Sequence, residues 1–114
     1  MIKFHTNHSL THMKKKEFKE RVLSIVRKIP KGKVLSYGQV AYAAGYPSAA
    51  RAVGTLMAGN HDTTVPCHRV VRSDGHIGEY NGGGVRAKAA RLREEGVCID
   101  GTRVHHSSYL TPAL

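Results

Sequence analysis

The stretch from Ser36 to Gly59 constrains the fold of this chain most. Ser36-Tyr37-Gly38-Gln39 has the form of a capping box, in which Ser36 caps a helix start and Gln39 reaches back to it. A short helix follows through Ala44. Gly45-Tyr46-Pro47 makes a tight turn, because glycine tolerates positive φ and proline fixes its own. Ser48 is then placed to cap a second short helix, Ala49 to Ala58. Two short helices joined by a few residues that include glycine have the form of a helix-turn-helix. The second helix is rich in small side chains: Ala49, Ala50, Ala52, Gly54 and Ala58. A major-groove reader usually carries Asn, Gln and Arg toward base edges. Small residues instead suit close approach in the minor groove. An alanine-rich face also packs well inside a protein, but Arg51 in mid-helix argues against full burial.

The second informative stretch is Val65-Pro66-Cys67-His68-Arg69-Val70. Proline holds the residue before it extended, so Cys67 is approached stiffly. Val70 and Val71 are β-branched and suit a buried strand. A free thiol is only a few per cent ionised at neutral pH. An adjacent imidazole and guanidinium favour the thiolate. By itself a Cys-His pair reads as packing; the rest of the chain argues otherwise.

The chain has 114 residues, enough for one domain and one core. Its formal net charge is +10, which implies an anionic partner, most often nucleic acid. No apolar run is long enough to span a membrane, and no secretory pattern follows Met1. A cytoplasmic, nucleoid-associated prokaryotic protein is the expectation. Cys67 and Cys98 form neither a CxxC motif nor a disulfide framework, so no structural metal is expected. Three histidines near the start, His5, His8 and His12, match no standard metal spacing. Residues 1–13 read as a disordered or appended leader ahead of a start at Met13, and 14–114 as a single domain.

Elsewhere, Lys14 to Lys28 carries Phe18, Val22, Ile25 and Val26 at helical spacing and ends at Pro30 and Gly32. Asp74-Gly75 predicts a hairpin or wing, and Asp100-Gly101 a terminal hairpin that packs Cys98. Gly78 to Gly84 is a glycine-rich loop without the P-loop lysine and serine, and reads as a mobile wall near Cys67. Val85 to Glu95 predicts an amphipathic helix, with Val85, Ala89 and Leu92 inward and Lys88 among the outward charges; Gly96 stops it.

Pro66-Cys67-His68-Arg69-Val70 resembles the signature of the O6-alkylguanine-DNA alkyltransferases. Ile29 to Val34, Ser36-Tyr37, and Ala49 to Gly54 look like that family's helix-turn-helix region. Asn60, Tyr80, Gly82-Gly83 and Glu95-Gly96 follow in order, so the likeness runs from Phe18 to Val97. The resemblance implies a mainly α fold with a small β-sheet, a winged helix-turn-helix. It implies double-stranded DNA as partner through the minor groove, a monomer, and no cofactor. It implies base flipping followed by transfer of the alkyl group from guanine O6 to Cys67. Flipping costs a few kcal/mol, least at a damaged pair. By similarity His68, through a water, is the base, Glu95 orients it, and Asn60 holds the loop and the network. Tyr37 rotates the nucleotide and donates its hydroxyl proton. Arg51 fills the vacated stack, Met57 walls the pocket and Tyr80 closes over the base. Ser48, Ala49, Ala50 and Gly54 lie along the DNA, and the backbone at Val70 and Asn81 reads the base edges.

Two features depart from that pattern. The family's separate N-terminal domain has no counterpart in this sequence, as in the alkyltransferase-like proteins, which bind alkylated DNA without repairing it. Those proteins usually carry tryptophan where this chain has Cys67. The stretch Asn60 to Cys67 is also one residue shorter than usual, which bears on the role of Asn60. Three readings follow: a single-turnover alkyltransferase, a damage-sensing binder, and a general winged-helix transcription factor.

Overall fold

The computed structural model describes residues 8–110, with side chains from Lys15 onward. Its centre is a pair of very short strands. Strand β1 (Leu35–Ser36) runs parallel to β2 (Val70–Val71), with Leu35 opposite Val70 and Ser36 opposite Val71. Parallel strands cannot be joined by a tight turn and need a long crossover. The helix-turn-helix supplies it, as α2 (Tyr37–Ala43) and α3 (Ala50–Ala58).

Successive strand residues face opposite sides. Leu35 and Val70 enter one apolar cluster with Val22, Val26, Val40, Val53 and Met57. Val34 and Val71 enter a second, with Ile77, Ala89, Leu92, Val97 and Val104. The strand pair is therefore the wall between two cores, and Cys67 lies just ahead of it.

Helix α1 (His8–Arg27) lies against the first cluster through Val22 and Val26. It begins six residues before the expected Lys14, and a leader ending at residue 13 would fall inside it; residues 1–7 lie outside the described ones. The helix tightens at its end, where the amides of Lys28 and Ile29 bond three residues back to Ile25 and Val26. Among the described residues no helix is long and apolar enough to cross a membrane.

The capping box at α2 is present in full: the Ser36 hydroxyl accepts from the Gln39 amide at 3.0 Å, and the Gln39 side chain accepts from the Ser36 amide at 2.9 Å. The cap expected at Ser48 is not. Helix α3 is entered through Ala49 without a side-chain cap. The turn is closed by backbone instead, with the Ala49 amide bonded to the Tyr46 carbonyl at 2.9 Å.

The wing also differs from a free hairpin. The Asp74-Gly75 turn is closed by the Arg72 amide on the His76 carbonyl at 2.9 Å, with Gly75 at φ +94°. Its returning limb then docks on the terminal hairpin, His76 pairing with Arg103 and the Ile77 amide bonding the Thr102 carbonyl. That hairpin, β3 (Ile99–Asp100) and β4 (Arg103–Val104), is antiparallel as expected. Cys98 is exposed rather than packed, because alternation from the buried Val97 turns it outward.

Helix α4 (Gly84–Glu94) reverses two expectations. Val85 is exposed, since the first turn projects past the second cluster, whose α4 members are Ala89 and Leu92. Lys88, placed outward by its charge, is only 1% exposed. The helix ends in a Schellman motif: Gly96 takes φ +97°, the Val97 amide bonds the Leu92 carbonyl, and the Gly96 amide bonds that of Arg93. This ending sets Glu95 at a defined point.

The burial contrast on α4 is measurable. Leu92→Ala is expected to lower the unfolding free energy by about 2–5 kcal/mol, whereas Val85→Ala should stay within about 0.5 kcal/mol. Urea denaturation of the two variants checks both values.

Candidate active site

Pro66 sits at φ −77° and ψ 69°, the geometry of an inverse γ-turn, and the Cys67 amide donates back to the Val65 carbonyl at 2.8 Å. Cys67 then opens a 3-10 turn, Cys67–Arg69, which runs into β2. A turn this tight sends consecutive side chains in different directions. Cys67 is half-buried and lines a cavity of about 740 Å³. His68 is buried, at 1% exposure, and its Nε2 meets Glu95.

Glu95 is gripped by two side chains. Its Oε2 lies 2.9 Å from His68 Nε2. Arg69 meets it in a fork, Nε on Oε1 and a terminal nitrogen on Oε2, both at 2.9 Å. The other terminal nitrogen of Arg69 donates to the Ile29 carbonyl at 2.8 Å. An ionised carboxylate only accepts, so His68 Nε2 carries the hydrogen and Nδ1 is left as the basic nitrogen. No buried side-chain nitrogen or oxygen among the described residues lacks a partner.

Burial alone would raise the Glu95 carboxyl. The hydrogen bonds from Arg69 and His68, with their charges, outweigh it and hold it down to about 2. For His68, burial disfavours the imidazolium and the pKa falls; Glu95 pulls it back up, and the charges of Arg91 and Arg69 add to the fall. The ring is therefore neutral at physiological pH.

Lys88 lies on the inner side. Its Nζ donates to the Val70 carbonyl at 2.8 Å and the Glu79 carbonyl at 3.2 Å, and stands 5.9 Å from the centre of the Tyr37 ring. Burial lowers its pKa to about 8, and the nearby Cys67 sulfur opposes the drop. Tyr37, the first residue of α2, is shifted up by burial first and by the charge of Cys67 second, so its hydroxyl keeps its proton.

Of the residues singled out from the sequence, Tyr37, Ala50, Arg51, Gly54, Met57, Cys67, Tyr80 and Asn81 all line the cavity. The small-residue face of α3 is open rather than packed, with Arg51, Ala52 and Ala58 exposed. Ser48 and Ala49 lie outside the lining, before α3 begins. The Val70 side chain is in the core, and its carbonyl already accepts from Lys88.

Asn60 is placed differently from the expectation that it joins the Cys67–His68 network. Its amide closes on Asp62 two residues ahead, donating to the carbonyl at 3.2 Å and accepting from the amide at 3.3 Å. Its side chain serves the loop, together with Asp62. The Asn81 side chain secures that loop from across the cavity, donating to the carbonyls of Ala58 and Asn60 at 2.9 and 2.8 Å.

Sequence reasoning missed Lys88 and the fork of Arg69. Lys88 stands four residues before Leu92, so helical period alone would have placed it inward; its charge hid it. For Arg69 there was no local signal, because its partners Ile29 and Glu95 are remote in the chain.

The depressed Glu95 carboxyl makes stability fall with acid. The unfolded chain binds a proton near 4.5 that the folded one refuses until about 2. The Glu95 contribution is therefore complete above about pH 4.5 and is lost on acidification, by about 3 kcal/mol. His68, whose charged form is disfavoured by burial, adds a loss that begins near its ordinary 6.5. Urea midpoints measured against pH check this; Glu95→Gln should be less stable at neutral pH and flatter below pH 4.5.

Residues 17–97 match a family described as 6-O-methylguanine DNA methyltransferase, DNA binding domain. The chain is 45% identical over 85 residues to the methylated-DNA--protein-cysteine methyltransferase of Methanothermobacter thermautotrophicus, covering 75% of this chain and 47% of that protein. It is 49% identical over 82 residues to the rat protein of the same name, covering 70% of this chain and 39% of that one. It thus spans less than half the length of these curated relatives. Among solved structures, S. pombe Atl1 bound to damaged DNA containing O6-carboxymethylguanine superposes with a TM-score of 0.76 at 37% identity, over 85% of this chain and 97% of that one. Mycobacterium tuberculosis OGT in complex with DNA gives 0.64 at 42% identity, over 68% of this chain and 48% of that one. With residues 17–97 matching its family model, the chain belongs to the 6-O-methylguanine DNA methyltransferase DNA-binding domain family.

Proposed function

We propose that this protein takes an alkyl group from guanine O6 in duplex DNA onto Cys67, once per molecule. The observation that carries the reading is Cys67 opening on a cavity of about 740 Å³ with His68, Glu95 and Arg69 locked behind it. Nucleophile, base and orienter are the parts an activated thiol needs.

In this reading the excess of Lys and Arg holds the phosphate backbone. The small face of α3 enters the minor groove, Arg51 takes the place of the flipped nucleotide, and the base enters the cavity between Met57 and Tyr80. His68 Nδ1 accepts the thiol proton through a water. The Cys67 sulfur attacks the alkyl carbon, the carbon–O6 bond breaks, and its electron pair leaves on guanine. Tyr37 gives guanine a proton, which balances the one His68 removed. The products are guanine and S-alkylcysteine. Water does not cleave a thioether at neutral pH, so the protein is spent. Lys88 places a positive charge beside the sulfur and ties the carbonyl of Val70 to that of Glu79.

A second reading is favoured by one observation, the near-complete superposition on Atl1 with its damaged-DNA ligand. In it the chain binds alkylated DNA without transfer. Incubation with duplex containing O6-methylguanine separates the two. Transfer predicts a mass gain of one CH₂ per molecule on Cys67, abolished in Cys67→Ser. An unchanged mass with the folded, reduced protein, and tight binding that survives Cys67→Ser, would establish the second reading instead.

Arg51→Ala is expected to slow reaction on duplex at least about tenfold, the scale of one stacking or flipping contribution. It should do so far less on single strands, which leave no gap to fill. Single-turnover rates on matched duplex and single-stranded substrates check the difference.

A further inference from the structure

Arg72 and Ser73 open the wing and line the same cavity as Tyr37, Arg51 and Cys67. The Ser73 hydroxyl accepts from the Gly38 amide at 3.2 Å, which pins this end of the wing to α2 beside Tyr37. The Arg72 guanidinium meets the Asp74 carboxylate at 3.1 Å, with the two side chains 59% and 45% exposed. Arg72 therefore stands at the rim of the cavity, half in water. A pair so open is weakly held and screened by salt. Its guanidinium is free to exchange a carboxylate for a phosphate, which it can grip with the same two-pronged geometry. Asp74 stays with the turn, where its Oδ1 accepts from the His76 amide at 3.1 Å.

Residues 98–110 lie beyond the family match, which ends at residue 97, and they hold the other end of the wing. The Ile77 amide donates to the Thr102 carbonyl and the Val104 amide to the Gly75 carbonyl, both at 2.9 Å. The Arg103 guanidinium donates to the Asp74 carbonyl, and His76 Nδ1 lies 2.9 Å from the Thr102 hydroxyl. Further along, the Val34 amide donates to the Ser108 carbonyl and the Leu110 amide to the Val34 carbonyl, each at 2.9 Å. Val34 leads straight into β1 and the helix-turn-helix. The segment thus ties the wing to the strand from which α2 starts.

We propose that Arg72 grips a DNA backbone phosphate at the cavity rim, and that residues 98–110 are the strap that keeps it there, with Arg103 and Thr102 as positioning residues. The inference rests on the reading of the cavity face as a DNA surface and is independent of alkyl transfer. A flipped nucleotide carries its base into the cavity and leaves the phosphates outside, so a cation that meets them belongs at the rim.

The test measures affinity for plain duplex, where no transfer intervenes, across a series of salt concentrations. Arg72→Met is expected to weaken binding about fivefold at about 0.15 M salt and to lower the slope of log affinity against log salt by about 0.9, the share of one phosphate. Arg103→Met should give a similar loss. Thr102→Val removes no charge, yet the slope should fall part of the way. In an Arg72→Met background neither strap variant should weaken binding further, because the contact it positions is already gone. Unmoved affinity and slope in Arg72→Met overturn the contact. Losses that add in the double variants overturn the strap, since they mean a separate contact or a general loss of folding. A wild type that binds no duplex fails the DNA reading itself and takes the proposal with it.

Discussion

One carboxylate holds the site together. Glu95 closes helix α4, yet its oxygens bind Arg69 and His68 on the 3-10 turn that carries Cys67. Through Arg69 the contact reaches the carbonyl of Ile29 after α1, so three remote segments meet at one buried charge. Removing a single partner from such a cluster leaves an unmatched charge and costs about 3–5 kcal/mol. The same contact has a chemical consequence. It fixes the His68 tautomer by occupying Nε2, and so decides which nitrogen is free to accept a proton. Stability and reactivity share one set of hydrogen bonds.

The wall between the two cores explains why the thiol can be both positioned and accessible. Val70 and Val71 are fully buried on opposite faces of β2, so the strand cannot slide by one residue without exposing both faces. The 3-10 turn ahead of it inherits that register. Cys67 is consequently aimed into the cavity by packing on both sides. Lys88 adds to this from below, tying the carbonyl at Val70 to the loop that brings Glu79 and Tyr80 to the cavity wall.

The helix-turn-helix and the cavity are the same structure seen from two sides. Val53 of α3 anchors it inward and Met57 reaches both core and cavity, while Arg51, Gly54 and Thr55 line the cavity. The Tyr37 ring lies alongside the helix at Gly54, where an added Cβ would meet it in ordinary van der Waals contact. The surface proposed to meet DNA and the pocket proposed to take the base therefore move as one body.

Local chemistry made much of this legible in the chain itself. The capping box at Ser36, the stop at Gly96 and the Asp100-Gly101 hairpin depend on neighbours in sequence, and each formed where its residues allow. So did the Cys67–His68 turn before a valine strand, since proline and β-branched residues act over one or two positions. Tertiary structure alone decided the rest. A charge buries only where carbonyls from other segments await it, which is why Lys88 faces inward. A side chain leaves its expected partner when a nearer one is available, which is why Asn60 closes on Asp62. Arg69 found Ile29 and Glu95 across long stretches of chain, and no periodicity carries information over that distance. Short-range preference set the elements; desolvation and long-range pairing chose which of their charged residues were drawn inside.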